Sequence, residues 1–204
     1  MRRFVQFTLM FGVLLLFGFG NCKSLPRYDA QLTANAEISK ATNAKYIVFP
    51  FEFAEGLSLK EVQENNQKIV SQRNREKAEA ALFAAGATVL ERSKVDKLLN
   101  EITLSKTGIT ESDGLNIGKL LNANYAVFGK VTNYGVARRR LRQHFAAEII
   151  LKGVNIETGV IVWECILKGH SPYNNGQQTL LDTENKLYEQ FTKKFKEKAA
   201  NPTN

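Results

Sequence analysis

The succession of a strand pattern, a helix pattern and a second strand pattern in the first half of the chain limits the folds it can adopt. Lys45–Phe53 places apolar side chains at alternate positions, as a half-buried strand does. An alanine-rich helix pattern follows over residues 67–85 and ends at Gly86, a typical residue just beyond a helix. The short apolar stretch Thr88–Leu90 comes next. This order favours a right-handed parallel crossover and therefore an α/β fold.

The second half of the chain predicts that the sheet is mixed. Its patterns are two short helices with predicted N-caps at Ser93 and Ser112, a strand at Asn124–Thr132, a basic loop at Asn133–Arg142, two strands at His144–Asn155 and Val160–His170, and a final helix at Thr179–Ala199. The turn at 156–159 contains Gly159, which suits a hairpin. We therefore expect a single-domain α/β sandwich: a mixed β-sheet with a parallel βαβ unit and a C-terminal hairpin, and helices on the sheet faces.

Two apolar stripes predict the core of the C-terminal half. On the second hairpin strand, one face should carry Ile161, Trp163, Cys165 and Leu167. On the final helix, one stripe should carry Leu180, Leu187, Tyr188, Phe191 and Phe195. Asn122 is expected to end the second short helix, and Gly129 to allow a close approach to the backbone.

The N-terminus is typical of an export signal. Arg2 and Arg3 precede the apolar run Phe7–Gly20, which is shorter than the ~20 residues that span a bilayer. Cys22 then stands in a sequence that resembles a bacterial lipobox. We interpret residues 1–21 as a lipoprotein signal peptide and Cys22 as the acylated residue; an ordinary signal peptide with a chance cysteine is the alternative.

This interpretation sets the expected organisation of the chain. Residues 22–44 are small and polar and are predicted to be a flexible, lipid-anchored tether. The α/β domain should occupy residues 45–199, followed by a disordered tail at 200–204. Lys23 provides no inner-membrane retention signal, so we expect an outer-membrane location with the domain facing the periplasm.

The composition argues against catalysis. Ser93, His144 and Asp182 could form a triad on paper, but no nucleophile-elbow sequence surrounds a serine. The glycines lack the spacing of a phosphate-binding loop. The chain has two histidines, and Cys165 is its only free cysteine once Cys22 is acylated. These are too few nitrogen and sulfur ligands for a metal cluster to be expected. We therefore expect no enzyme activity, no cofactor and no small-molecule substrate.

Two surfaces are predicted to make contacts. The first is the arginine cluster Arg138, Arg139, Arg140 and Arg142, which suits phospholipid headgroups or an acidic partner; the alternative is a solvated loop beside a strand. The second is the sheet edge beside the long hairpin, which another strand could complete. The formal net charge of +8 is too small and dispersed to indicate nucleic acid.

The stretch of residues 81–135 resembles the CsgG-like family. The resemblance is carried by Leu90-Glu91-Arg92-Ser93 before an amphipathic helix, Gly118-Lys119-Leu120-Leu121, and Ala123–Gly129, and it extends over about 45–198. It implies an envelope lipoprotein whose partners are membrane lipid, other envelope proteins and possible further copies of itself. The leading hypothesis is a non-enzymatic accessory or scaffold in envelope assembly or secretion.

The resemblance leaves two alternatives open. One is a subunit of an oligomeric curli-type secretion channel, and the other is an activator of a peptidoglycan synthase like the related LpoB-type lipoproteins. The loops at 133–142 and 171–178 are short for membrane hairpins, since each spanning strand needs ~9–11 residues. Residues 54–66, in the place of the family's constriction loop, contain no aromatic residue. Both observations disfavour the channel.

Overall fold

The computed structural model describes residues 25–57, 67–103, 110–139, 142–174 and 176–202. These residues form one mixed sheet with helices on both faces, which confirms the predicted α/β sandwich. The strands are β1 (Arg27–Ala34), β2 (Lys45–Val48), β3 (Glu52–Phe53), β4 (Thr88–Val89), β5 (Tyr125–Arg139), β6 (Arg142–Asn155) and β7 (Ile161–Pro172). The helices are α1 (Gln67–Ala84), α2 (Arg92–Thr103), α3 (Glu111–Leu120) and α4 (Gln177–Ala200), with a 3-10 turn at Ala36–Lys40.

The sheet combines a parallel part and an antiparallel part. Its strand order is β1-β7-β6-β5-β2-β4, and β3 also pairs with β5. β2 runs parallel to both β4 and β5, so β2, α1 and β4 form the predicted crossover unit. β5, β6, β7 and β1 pair antiparallel in turn. The predicted C-terminal hairpin is therefore confirmed as the β6–β7 pair.

Alternation along β2 divides the core between the two faces of the sheet. Tyr46 and Val48 belong to the larger core beneath α1 and α4, whereas Ile47 and Phe49 belong to a smaller core beneath α2 and α3. The predicted stripe of α4 is buried in the larger core and is confirmed. Trp163 contacts Phe191 and Phe195 of this stripe, with ring centroids 5.5 Å away in each case.

The predicted tether at 22–44 is wrong for residues 27–44. Residues 27–34 form β1, which pairs antiparallel with β7 along its whole length. Ile38 in the following 3-10 turn is 0% exposed. The sequence did not predict this strand because its residues are mostly small or polar. Only Ala30 of its eight side chains is fully buried, so no apolar alternation is visible. The sheet edge beside the long hairpin, predicted to be open, is consequently occupied by β1.

The predicted loop at Asn133–Arg142 is also wrong, because both long strands extend into it. β5 continues to Arg139, and β6 begins at Arg142, directly opposite. A bulge between Val131 and Asn133 shifts the register of β5. The apolar side chains therefore change from odd to even positions, at Tyr134 and Val136, and a strand that changes phase does not show period-2 alternation over its length.

The predicted shared face of β7 is wrong for Ile161, because a second bulge lies between Ile161 and Trp163. Trp163 pairs with Gly153 and Ile161 with Val154, so Val162 is an extra residue on this strand. Val162 and Trp163 are both buried as a result, whereas Ile161 is 48% exposed. Gly153 makes this arrangement possible, because a β-carbon there would lie 2.2 Å from the indole of Trp163.

The two predicted serine caps are wrong, because each serine is the second residue of its helix. α2 begins at Arg92, and the Ser93 hydroxyl donates to the carboxylate of Glu91. α3 is capped by Thr110, whose side chain accepts from the backbone N–H of Asp113 in a capping box. Asn122 does end α3, in the left-handed conformation with φ 52°. Gly129 does allow a close approach, with the Phe51 ring packed where its β-carbon would be.

Cys165 provides a test of the core. Its side chain is 0% exposed, and burial raises the pKa of the thiol to about 12. At pH 8 we expect a thiol reagent to react with Cys165 at least ~1000-fold more slowly in the folded protein than in urea, because the thiolate is the reactive form. Stopped-flow labelling measures both rates, and comparable rates would contradict the burial of this side chain.

Candidate functional site

The predicted contact residues lie at one end of the sheet or outside the described residues. Cys22 lies outside them. Arg138 and Arg139 end β5 and Arg142 starts β6, so their backbones form the base of the β5–β6 hairpin tip. Arg140 belongs to the part of the tip that is not described. The three described arginines are therefore grouped by the topology at the end of a strand pair and not in a separate loop.

The structure does not bring together Ser93, His144 and Asp182, the residues that could have formed a catalytic triad. Ser93 lies on α2, which covers one face of the sheet. Asp182 lies on α4, on the opposite face, and accepts a hydrogen bond from Gln178. His144 stacks on His170, with ring centroids 4.8 Å apart. The structure therefore does not assemble this triad.

An ion pair between a buried carboxylate and a part-buried guanidinium lies in the interior. Glu184 of α4 is 0% exposed, and its carboxylate accepts from Arg73 Nε at 2.7 Å and from Arg73 Nη2 at 2.9 Å. The Tyr134 hydroxyl of β5 also donates to Glu184, at 2.7 Å. Asn74 adds a longer contact at 3.4 Å and accepts from the Tyr188 hydroxyl. The cluster thus joins α1, α4 and β5.

The electrostatics of this cluster match a structural role. Burial opposes the positive charge of Arg73, but the hydrogen bonds and attraction from Glu184 outweigh it and raise the pKa of the guanidinium. Burial, with Glu184 nearby, raises the pKa of the Tyr134 phenol. Arg73 and Tyr134 therefore keep their protons at neutral pH, and the carboxylate is held by several donors. Such an arrangement fixes the position of α4 against α1 and the sheet.

Sequence reasoning missed this cluster, although a signal for it exists. Glu184 falls between Leu180 and Leu187 on the apolar stripe of α4, at helical spacing. A carboxylate on a buried stripe requires a cationic or hydrogen-bonding partner. The sequence alone does not show that Arg73, more than a hundred residues away, is that partner.

A groove of about 460 Å³ is the best candidate for a binding site. It lies on the α3 side of the sheet, between the start of α3 and strands β5 and β6. Phe49 and Phe128 form one wall, stacked with centroids 5.2 Å apart and planes 10° apart. Gly114 of α3 allows this, because a β-carbon there would lie 2.8 Å from the Phe128 ring. Ile150 of β6 also lines the groove.

Charged side chains surround these apolar walls. Lys152 of β6 forms an ion pair with Glu111 at the start of α3. Lys130 and Glu52 occupy paired positions on β5 and β3, and Glu164 lies nearby on β7. Stacked rings and an isoleucine within a rim of both charge signs suit a protein segment with one or two apolar side chains. The sequence analysis singled out none of these lining residues as a site.

Neither a metal-binding cluster nor a membrane-spanning helix is seen in the described part of the chain. Across residues 25–202, leaving out the undescribed gaps, no three histidine, cysteine, aspartate or glutamate side chains are placed to hold a metal ion. Within the same residues, each helix is too short or too polar to traverse a bilayer.

The fold is similar to solved lipoprotein and oligomer structures. A variant of the PelC dodecamer from Paraburkholderia phytofirmans is 11% identical and has a TM-score of 0.52, covering 81% of this chain and 96% of that chain. Lipoprotein GNA1162 from Neisseria meningitidis is 17% identical with a TM-score of 0.52, covering 68% of this chain and 90% of that chain. At these identities the similarity concerns the fold alone. No curated protein matches the sequence significantly.

A family match is found in the middle of the chain. Residues 51–142 match the family described as curli production assembly/transport component CsgG. This region runs from Phe51 beside the groove, through α1, α2 and α3, to the start of β6. It includes the stretch of residues 81–135 on which the resemblance was based. The chain is therefore CsgG-like in sequence over residues 51–142, within an α/β sandwich that the structure describes from β1 to α4.

Proposed function

We propose that this protein is a lipid-anchored, envelope-associated accessory or scaffold that acts through protein contacts and not through catalysis. The observation that carries the proposal is the CsgG match over residues 51–142, a family described by its role in assembly and transport. The lipobox-like sequence ending at Cys22 supports attachment to a membrane. The groove between α3, β5 and β6 is the proposed contact site for a partner protein.

Assembly into a ring is a second candidate. The CsgG family description includes transport, and the similar PelC structure is described as a dodecamer. Both observations motivate a mass measurement of the full-length protein in detergent. A single species at the protomer mass supports the accessory, whereas particles of many protomers, with conductance across liposomes, would support a channel subunit instead.

The groove is tested by placing a charge on its apolar wall. We expect Ile150→Glu to abolish the capture of partners that full-length protein retains from solubilised envelopes, because a carboxylate there would be desolvated by a bound segment. Quantitative mass spectrometry of the captured proteins measures the effect. Ile150 is half-buried, so circular dichroism must first show that the variant is folded.

Ile161→Glu is the matched control for this experiment. It makes the same chemical change on an exposed isoleucine at the start of β7, beside the β6–β7 turn, and this residue does not line the groove. Retention of the partners by this control and their loss from Ile150→Glu support the groove. Retention by both variants would mean that partners bind elsewhere, and intact mass spectrometry of the mature protein tests acylation of Cys22 separately.

A further inference from the structure

We propose that the end of the sheet carrying the β5–β6 hairpin tip lies against the phosphate headgroups of an anionic bilayer. This inference rests on the proposed acylation of Cys22 and adds an orientation to it. Three features support it: the small number of residues between Cys22 and β1 in the sequence, the direction of β1 in the sheet, and the distribution of charge along the four antiparallel strands.

The first feature is the length of the linker. β1 begins at Arg27, so only four residues separate it from Cys22. Fully extended, this connection reaches at most ~17 Å, given ~3.3–3.6 Å per residue. A domain on such a linker is held against the membrane. The 23-residue tether predicted at 22–44 would have let it move away.

The second feature is the direction in which β1 begins. Arg27 pairs with His170, which pairs with Ala146, so the linker leaves the sheet at the end where β5 and β6 form their hairpin. From Ala146 to the first residue of β6, Arg142, the hairpin extends ~13 Å further at ~3.3 Å per residue. The linker and the tip therefore reach nearly the same height above Arg27.

The opposite end of the sheet is out of reach of the anchor. β6 runs from the level of Arg27, at Ala146, to Asn155, a distance of ~30 Å at ~3.3 Å per residue. The linker is about half that length, so the β6–β7 turn cannot be the membrane-facing end unless β1 detaches. Leu25, which is 76% exposed, lies on the linker beside the end that faces the membrane.

The third feature is charge. The register places Arg27, Arg138, Arg139 and Arg142 at this end of the sheet, together with the stacked pair His144 and His170. The described residues of the strands at 27–28, 134–139, 142–147 and 169–172 include no acidic residue. The first acidic residues along the strands are Asp29 and Glu148, each in register with Lys168; on α4, which starts at this end, the first is Asp182.

A membrane surface fits this distribution better than a protein partner does. The register places Arg138, Arg139 and Arg142 at the tip of a strand pair, at the end of the sheet where β1 begins. Phosphate headgroups are the anions that an anchored lipoprotein always has within reach, and basic residues next to an anchor favour anionic leaflets. An acidic protein would have to enter the narrow space between the tip and the bilayer.

The orientation is tested with fluorophores at the two ends of β6. Gln143→Cys and Glu157→Cys each place a thiol on an exposed side chain of the full-length acylated protein, at the hairpin end and at the β6–β7 turn. Cys165 is buried and provides little background. In vesicles of phosphatidylethanolamine and phosphatidylglycerol with a headgroup-linked quencher, we expect several-fold stronger quenching at position 143 than at position 157. Equal quenching, or stronger quenching at 157, would overturn the inference.

The role of charge is tested in the same vesicles. Neutralising three arginines together, as Arg138→Gln, Arg139→Gln and Arg142→Gln, should reduce quenching at position 143 to its value in phosphatidylcholine vesicles. The matched control neutralises Lys193, Lys194 and Lys196 on the exposed side of α4 and should leave quenching unchanged. Unchanged quenching in the arginine variant would show that the anchor alone sets the contact and would contradict a headgroup site.

Failure of the anchor is distinguishable from failure of the orientation. Intact mass spectrometry of the same preparation reports whether Cys22 carries acyl chains. An unmodified chain that does not sediment with vesicles would end both the proposed anchoring and this inference. An acylated chain whose quenching is not stronger at position 143 would end only the inference.

Discussion

Replacing Ile38 with alanine is expected to lower the free energy of unfolding by about 2–5 kcal/mol, the usual range for truncating a fully buried isoleucine. Ile38 is 0% exposed in the 3-10 turn between β1 and β2, where it belongs to the larger core. Urea unfolding followed by tryptophan fluorescence measures the change, because Trp163 lies in the same core.

Leu25→Ala is the control for this prediction. Leu25 lies in the same N-terminal region but is 76% exposed, so its truncation should change the unfolding free energy by less than about 0.5 kcal/mol. If both substitutions were equally mild, residues 27–44 would be a tether after all. A large effect of Ile38→Ala alone places the start of the folded domain at β1.

Removal of the carboxylate in Glu184→Ala is expected to cost about 3–5 kcal/mol, because it leaves the part-buried Arg73 guanidinium without its main counter-charge. The Tyr134 hydroxyl also loses its acceptor. Glu184→Gln keeps the shape and one acceptor oxygen and should cost less, though Arg73 still loses the negative charge of Glu184. Urea unfolding of the three proteins at neutral pH gives the ranking.

Glu189→Ala provides the comparison on the same helix. Glu189 is exposed and pairs with Lys186 at 2.7 Å three residues away, and exposed pairs of this kind are worth ~0–1 kcal/mol. If Glu184→Ala changed the unfolding free energy as little as Glu189→Ala does, the buried cluster would make no net contribution to stability. In that case another contact would have to hold α4 in place.

Local patterns were sufficient for the parts of the fold whose periodicity is unbroken. The hairpin turn with Gly159 at φ 70° and the stripe of α4 were both predicted and confirmed. The half-buried strand predicted at Lys45–Phe53 is instead divided into β2 and β3, and β2 is buried on both faces. The stripe of α4 occupies one continuous face, so its side chains repeat with the period of the helix. The parallel arrangement of β2 and β4 followed from the helix between them.

The errors arose where packing, and not local pattern, decides the structure. β1 has small and polar residues and is a strand because β7 offers an edge to pair with. Bulges change the phase of β5 and β7. As a result, the last seven residues of β5 were not predicted as strand, and Ile161 of β7 was predicted on the wrong face. A single sequence indicates neither a distant pairing edge nor the position of a bulge.

The candidate site was predictable only in part. The arginines were found because charge is visible in a sequence, but their place at the end of a strand pair required the register. The groove joins Phe49, Phe128 and Ile150, which come from three different strand regions. Each of them alone has the appearance of an ordinary core residue. Only the three-dimensional arrangement shows that they surround an open space.

The pairing of the first strand with the last has a consequence for export. β1 closes against β7, and Asn35 at its end donates to the carbonyl of Ile161, 126 positions later in the chain. A chain that crosses a membrane from its N-terminus must therefore keep residues 27–34 unpaired until nearly all of it has arrived. Such distant contacts form late and slowly. Completion of the sheet therefore requires delivery of the polypeptide as far as β7, and products truncated before β7 would leave β1 unpaired.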